Sequence, residues 1–258
     1  MTGIYDCFGY GEGYDVTFSE RYRLIKVAGF DCVMLWWSDR FGRGEGFEQD
    51  ACLAKQAGLI LENMHAPVHE QDLLSEDDLA GDHVFHDYLK CVEDCDKYDI
   101  PTVVIHLPDD RHPLSALGNA RLDRLIDKAG ELGVQIAFEN LRNIHNLAMT
   151  LERVSYSHIG FCYDSCHHIN YASDTDLLKV YGDRLKALHL HDNGGIYDQH
   201  QLPFDGRTDW AAVMNNIRSS GYSGAVTLEP MNWDHSHLDI RGFLKLAHER
   251  AERLELML

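Results

Sequence analysis

Residues 133–140 read GVQIAFEN, and the rest of the chain can be parsed from that phrase. Gly133 is free to take the left-handed backbone on which helices end. Val134, Ile136, Ala137 and Phe138 form a run too apolar for a loop and too short for a helix, so it reads as a strand buried on both faces. The run stops on Glu139, an ionisable residue placed at a strand end.

The same phrase recurs along the sequence. Candidate strands fall near residues 3–9, 31–37, 60–66, 102–107, 134–140, 159–164, 186–191 and 225–230. Stretches with helical periodicity separate them, roughly at 18–28, 47–58, 76–99, 115–132, 147–155, 174–182, 209–220 and 236–256. Gly29, Gly58 and Gly221 precede the second, third and eighth runs as Gly133 precedes the fifth. Ser75 and Asp209 sit where helix N-caps are expected. Strict alternation of apolar strand and helix implies parallel βα units covered by helices, and eight such units close a barrel. The fold expected is therefore α/β, a (β/α)8 TIM barrel. An open doubly wound sheet would carry a glycine-rich phosphate loop after its first strand, and GYGEG at 9–13 lacks the required spacing. With 258 residues and no Pro-, Gly- or Ser-rich linker, residues 1–258 are expected to form a single domain.

Charge narrows the function classes. The chain has 23 Lys+Arg against 42 Asp+Glu, a formal charge of −19, which repels a phosphate backbone, so a nucleic-acid partner is not expected. Neither a signal peptide nor a spanning helix is indicated, so no membrane association and a cytoplasmic location are expected. Seven cysteines, an odd number, fit reduced thiols rather than a disulfide framework. Cys91 and Cys95 read as packing on one helix face.

Six of the strand ends carry metal-binding side chains: His65 in ENMHAP, His106 in TVVIHLP, Glu139 in QIAFEN, Asp164 in GFCYDSCHH, His189 in ALHLHDN and Glu229 in AVTLEP. A barrel brings them to one rim. Several buried carboxylates cannot stay ionised together without a cation or a proton, and the mixed nitrogen and oxygen set suits Zn²⁺, Mn²⁺, Co²⁺ or Fe²⁺. His167 lies one helical turn beyond Asp164, and Asp198 and His200 lie two apart in DQHQLPFDG. His168, His191 and Asp192 read as outer partners of the ligands or as solvated groups, with His168 on the surface.

The ordered motifs MHAP, VVIH, FEN, YDSCH, ALHLHDN, DQHQLPFDG and LEP resemble the xylose-isomerase-like barrel superfamily of sugar isomerases, sugar phosphate isomerases/epimerases and endonuclease IV. For the epimerase branch the resemblance implies one divalent ion (Mn²⁺, Zn²⁺ or Co²⁺) on Glu139, Asp164, His189 and Glu229. It further implies His167 near the substrate and the two glutamates as the proton-transferring pair. For the endonuclease IV branch it implies a trinuclear zinc phosphodiesterase using all nine of His65, His106, Glu139, Asp164, His167, His189, Asp198, His200 and Glu229. The negative charge favours the sugar reading, with a small sugar-like substrate. A non-catalytic barrel subunit is the third reading, and a homo-oligomer is compatible with each.

Phe8, Tyr10, Tyr14, Trp36, Trp37, Phe204 and Trp233 are expected near the same rim, where aromatic faces could pack against a sugar. Trp210 reads as a helix-packing residue. Arg40, Arg43, Arg142 and Arg207 fall in expected loops and are the candidates for holding a substrate phosphate.

Overall fold

The computed structural model describes residues 1–38, 47–68, 70–110 and 112–258. Eight parallel strands are present: β1 Thr2–Tyr5, β2 Cys32–Trp36, β3 Ile60–His65, β4 Thr102–Ile105, β5 Gln135–Glu139, β6 Ile159–Asp164, β7 Leu185–His189 and β8 Val226–Leu228. Their order around the sheet is 7-6-5-4-3-2-1-8. The two outer strands meet just beyond the end of β7, where Leu190 donates its N–H to Thr227 O and accepts from Glu229 N at 2.9 and 3.0 Å. That parallel bridge closes the barrel and draws Glu229 toward His189.

The helices among the described residues are α1 Phe18–Ala28, α2 Asp50–Gln56, α3 Leu79–Tyr98, α4 Ala116–Leu132, α5 Ile144–Arg153, α6 Ser165–Tyr171, α7 Leu177–Tyr181, α8 Trp210–Ser220 and α9 Ile240–Glu255. None is long and apolar enough to cross a membrane. The glycine exits behave as expected: Gly133 closes α4 at φ 72° and Gly29 closes α1 at φ 114°. Asp209 caps α8 by accepting from Ala212 N. Ser75 does not cap α3. It ends a 3₁₀ turn, Gln71–Ser75, and Asp78 caps the helix by accepting from Ala80 N and Gly81 N. The helix expected near 174–182 is present as the short α7, and a further helix, α6, precedes it: Asp164 accepts from His167 N and starts α6 directly at the end of β6.

The interior is layered. Small side chains of Val104, Ala137, Cys162 and Ala187 fill a middle layer of the barrel. Outside it, helix faces pack on the strands; Cys91 and Cys95 of α3 are both buried there. All seven cysteines are free thiols.

Candidate metal and active site

All nine residues singled out by the sequence meet at the carboxyl end of the barrel. Glu139 is their hub. Its Oε2 lies 3.3 Å from His65 Nε2, 3.4 Å from His106 Nε2 and 3.0 Å from His189 Nδ1, while its Oε1 lies 2.9 Å from His167 Nδ1. Glu229 Oε2 reaches the same His189 Nδ1 at 3.2 Å. His167 then links outward, to Asp164 Oδ1 at 3.6 Å and to Asp198 Oδ2 at 3.3 Å, and Asp198 Oδ2 lies 3.0 Å from His200 Nε2.

Backbone and buried side chains fix this set. Asn140, directly after Glu139, gives its amide to Asp164 O and accepts from Asp164 N at 2.9 and 2.8 Å, tying the ends of β5 and β6 together. Asp192 is neither a partner of the ligands nor solvated. It is fully buried and accepts from Asn193 N, Phe204 N, Thr208 N, Thr208 Oγ and Trp210 Nε1. It thereby organises the segment 193–208, which carries Asp198 and His200. Trp210, expected only to pack, supplies one of those donors. His168 is half-buried rather than freely solvated, and its ring bridges the Tyr163 hydroxyl and Thr175 O at 2.7 and 2.9 Å.

Charge in the site is strongly coupled. Burial alone would push the Glu139 carboxyl up, but His106 and His189 hold it well below the usual carboxylate range. Burial likewise opposes ionisation of Glu229, and His189 brings it down to about 2. His189 and His167 are raised well above an ordinary imidazole, against burial, by the surrounding carboxylates and, for His189, by the Cys162 thiol. His106 is lowered by burial.

The set borders a cavity of about 280 Å³. Tyr5, Cys7, Trp36, Val68, Met231 and Trp233 form its less polar wall, and Tyr10 joins them. Tyr5, Cys7, Val68 and Met231 were not anticipated, because an apolar residue at a strand end looks the same in sequence whether it faces a cavity or the core. Other aromatic expectations fail. Phe8 and Tyr14 pack on Phe243, Trp37 donates to Asp94 at 2.7 Å, and Phe204 lies beneath Arg253. Of the arginines, Arg142 sits over Tyr171 and Arg207 donates to Gly194 O; neither lines the cavity. Arg40 and Arg43 lie outside the described residues.

A barrel whose strand ends converge in this way is what the comparisons with known proteins select. The model of the xylose isomerase-like TIM barrel matches residues 22–247. The chain belongs to that family. Protein y4fM of Sinorhizobium fredii is 40% identical over 135 residues, 49% of this chain and 43% of the relative. The D-psicose 3-epimerase of Enterocloster bolteae is 25% identical over 196 residues, 69% of this chain and 64% of the enzyme. The chain thus spans less than two-thirds of either curated relative. The crystal structure of IolI protein with a bound zinc atom has a TM-score of 0.77 at 17% identity, covering 99% of this chain and 97% of that one, a likeness of fold.

In this xylose isomerase-like barrel the donor set fits a divalent cation. His106 Nε2, Glu139 Oε2, His167 Nδ1 and both His189 nitrogens are buried, and none makes a hydrogen bond of acceptable geometry. Their close approaches are misaligned for proton sharing. Lone pairs converging from carboxylates and imidazoles, without donors between them, are costly unless a cation is shared. His65, His106 and Glu139 form one compact trio, and Glu139, Asp164 and His167 another, each with ligand atoms within 4.8 Å of one another.

Proposed function

We propose that this protein is a divalent-metal-dependent isomerase or epimerase acting on a small sugar or related hydroxycarbonyl compound. The observation that carries the reading is the placement of two carboxylates, Glu139 and Glu229, on one imidazole nitrogen at the edge of a small, aromatic-walled cavity. The D-psicose 3-epimerase relative supports the substrate class. The bound zinc atom in IolI, a structure of the same fold, supports a divalent metal in this protein.

Glu139, Asp164, His189 and Glu229 would hold the ion, here Mn²⁺, Zn²⁺ or Co²⁺, with His65, His106, His167, Asp198 and His200 as additional or second-ion ligands. When bound, the ion supplies Lewis acidity that stabilises negative charge on a substrate oxygen. Glu139 and Glu229 enter from the ends of β5 and β8, which β6 and β7 separate, and in this reading they would act from different sides of a bound sugar. One takes the proton from the carbon beside the carbonyl and the other returns it. His167 Nδ1, 2.9 Å from Glu139 Oε1, sits beside that carboxylate and would restrict its orientation. Trp36 and Tyr5, both largely buried, pack against the C–H face of the sugar and keep water from the reacting carbon.

The nine-residue set also favours a second reading, a trinuclear zinc phosphodiesterase, because overlapping ligand trios can hold more than one ion. Against it stand the −19 charge and a cavity lined, among the described residues, by no lysine or arginine. Incubating metal-loaded protein with a panel of ketoses in deuterated water separates the two. Deuterium should appear at the carbon beside the carbonyl together with the epimer or isomer. No exchange with any ketose, combined with cleavage of abasic DNA, would sink the sugar reading.

A further inference from the structure

We infer that Cys166, His191 and Asp198 form a second cation site behind the substrate cavity, suited to a thiophilic divalent ion of the zinc class. It does not depend on the proposed reaction, although it shares Asp198, which borders the cavity, with the ligand set proposed above. Cys166 in α6 and His191 after β7 are both fully buried, and neither borders the substrate cavity. The Cys166 thiol, a His191 ring nitrogen and an Asp198 carboxylate oxygen lie within 4.8 Å of one another.

The contacts of His191 point to the site. Its Nε2 is 2.7 Å from Asp164 Oδ2, and a carboxylate only accepts, so Nε2 carries the hydrogen. Nδ1 is the ring nitrogen that faces Asp198. That atom is buried without a hydrogen-bond partner, and the nearest carboxylate oxygen, Asp198 Oδ1 at 3.8 Å, is equally buried and equally unpartnered. A ring nitrogen and a carboxylate oxygen, both buried and unpartnered beside a thiol, fit a shared cation. A carboxylate–imidazole pair whose far nitrogen points at further donors is the arrangement that orients a metal-bound histidine. Asp164 plays the outer part here. The Cys166 sulfur gives this trio a softer donor than the carboxylates and imidazoles proposed as ligands around Glu139, and selects a softer ion.

On binding, the Cys166 thiol loses its proton to solvent and its sulfur coordinates as thiolate; His191 keeps its Nε2 hydrogen and nothing is oxidised or reduced. The ion would pin α6 to the segment bearing Asp198 and His200.

Cobalt titration of chelator-stripped protein tests this. Wild type should develop a sulfur-to-cobalt charge-transfer absorption that Cys166→Ser loses and Cys162→Ser keeps. The second variant matters because the Cys162 thiol lies near Glu139 and His189. A band surviving in Cys166→Ser, a band lost in Cys162→Ser, or no band in wild type at saturating cobalt would overturn the site. Cobalt bound only by nitrogen and oxygen still gives weak visible absorption, so a missing sulfur band counts against this site and not against the proposed function. Should Cys166→Ser fail to fold, X-ray absorption on zinc-loaded Cys162→Ser should find a sulfur neighbour at about 2.3 Å; its absence would be decisive.

Discussion

Glu139 touches four imidazoles with two oxygens, so its charge is balanced by its neighbours and its geometry by its position at the end of β5. Replacing it by Gln keeps the volume and removes both the charge and the basic oxygen. Glu139→Gln should lower kcat about 10²–10⁴-fold, the usual worth of a positioned acid or base, and reduce metal retained after gel filtration. Glu229→Gln should do the same. Steady-state kinetics with metal analysis on each variant checks this, and near-normal turnover in either would remove its acid–base role. The residues that meet here could be read from the chain because each ends a short apolar run, and a barrel brings strand ends together. His191 and Asp192, adjacent in the same motif, could not be assigned that way. One turns toward Asp164 and the other beneath the next loop, and the difference arises from chain direction after β7.

The loop between β7 and α8 shows how one buried carboxylate can set an element. Asp192→Ala would leave several buried donors without an acceptor, so the protein should lose about 3 kcal/mol of stability, measured by urea denaturation. A loss within experimental error would mean that the segment 193–208 is held by other contacts. A second element-level feature is the bulge in β3, where Val33 pairs with Leu61 and Met34 with Asn63, so that Glu62 is skipped. The displaced side chain faces Tyr222, Thr227 and Asn63. Burial lifts its carboxyl from 4.5 to about 7, outweighing His189 and the surrounding hydrogen bonds. An acid raised in the folded state contributes fully below its unfolded value and loses that contribution as pH climbs through the folded one. Wild type should therefore lose on the order of 2–3 kcal/mol between pH 5 and pH 8 relative to Glu62→Gln. Parallel denaturation curves for the two proteins across that range would refute it. The alternation of strand and helix was open to reading because glycine exits and apolar runs are local signals. A bulge is not local, since it exists only as a register between β2 and β3. The cap of α3 was misplaced to Ser75 for a related reason, because the intervening 3₁₀ turn moves the helix start to Asp78.

Across the molecule as a whole, the excess of 42 acidic over 23 basic residues bears on which substrate can approach. Polyanions bind proteins chiefly by releasing counterions to lysine and arginine, and the described cavity wall offers neither. At physiological salt the screening length is about 8 Å, so distant acidic groups are muted while those around the mouth still repel a phosphate chain. A neutral sugar meets no such barrier and can use the aromatic wall. The nine-residue ligand set alone is compatible with either substrate, which makes the field the discriminating property. Metal-loaded protein should show no change in fluorescence anisotropy with a labelled abasic duplex at about 0.15 M salt, conditions under which specific DNA binders hold their sites at nanomolar concentrations or below. Lowering the salt tenfold lengthens the screening distance and should weaken any residual association, the reverse of the trend for a basic binding face. Tight binding that strengthens at low salt would require a basic surface beyond the cavity wall and would turn the assignment toward phosphodiester chemistry.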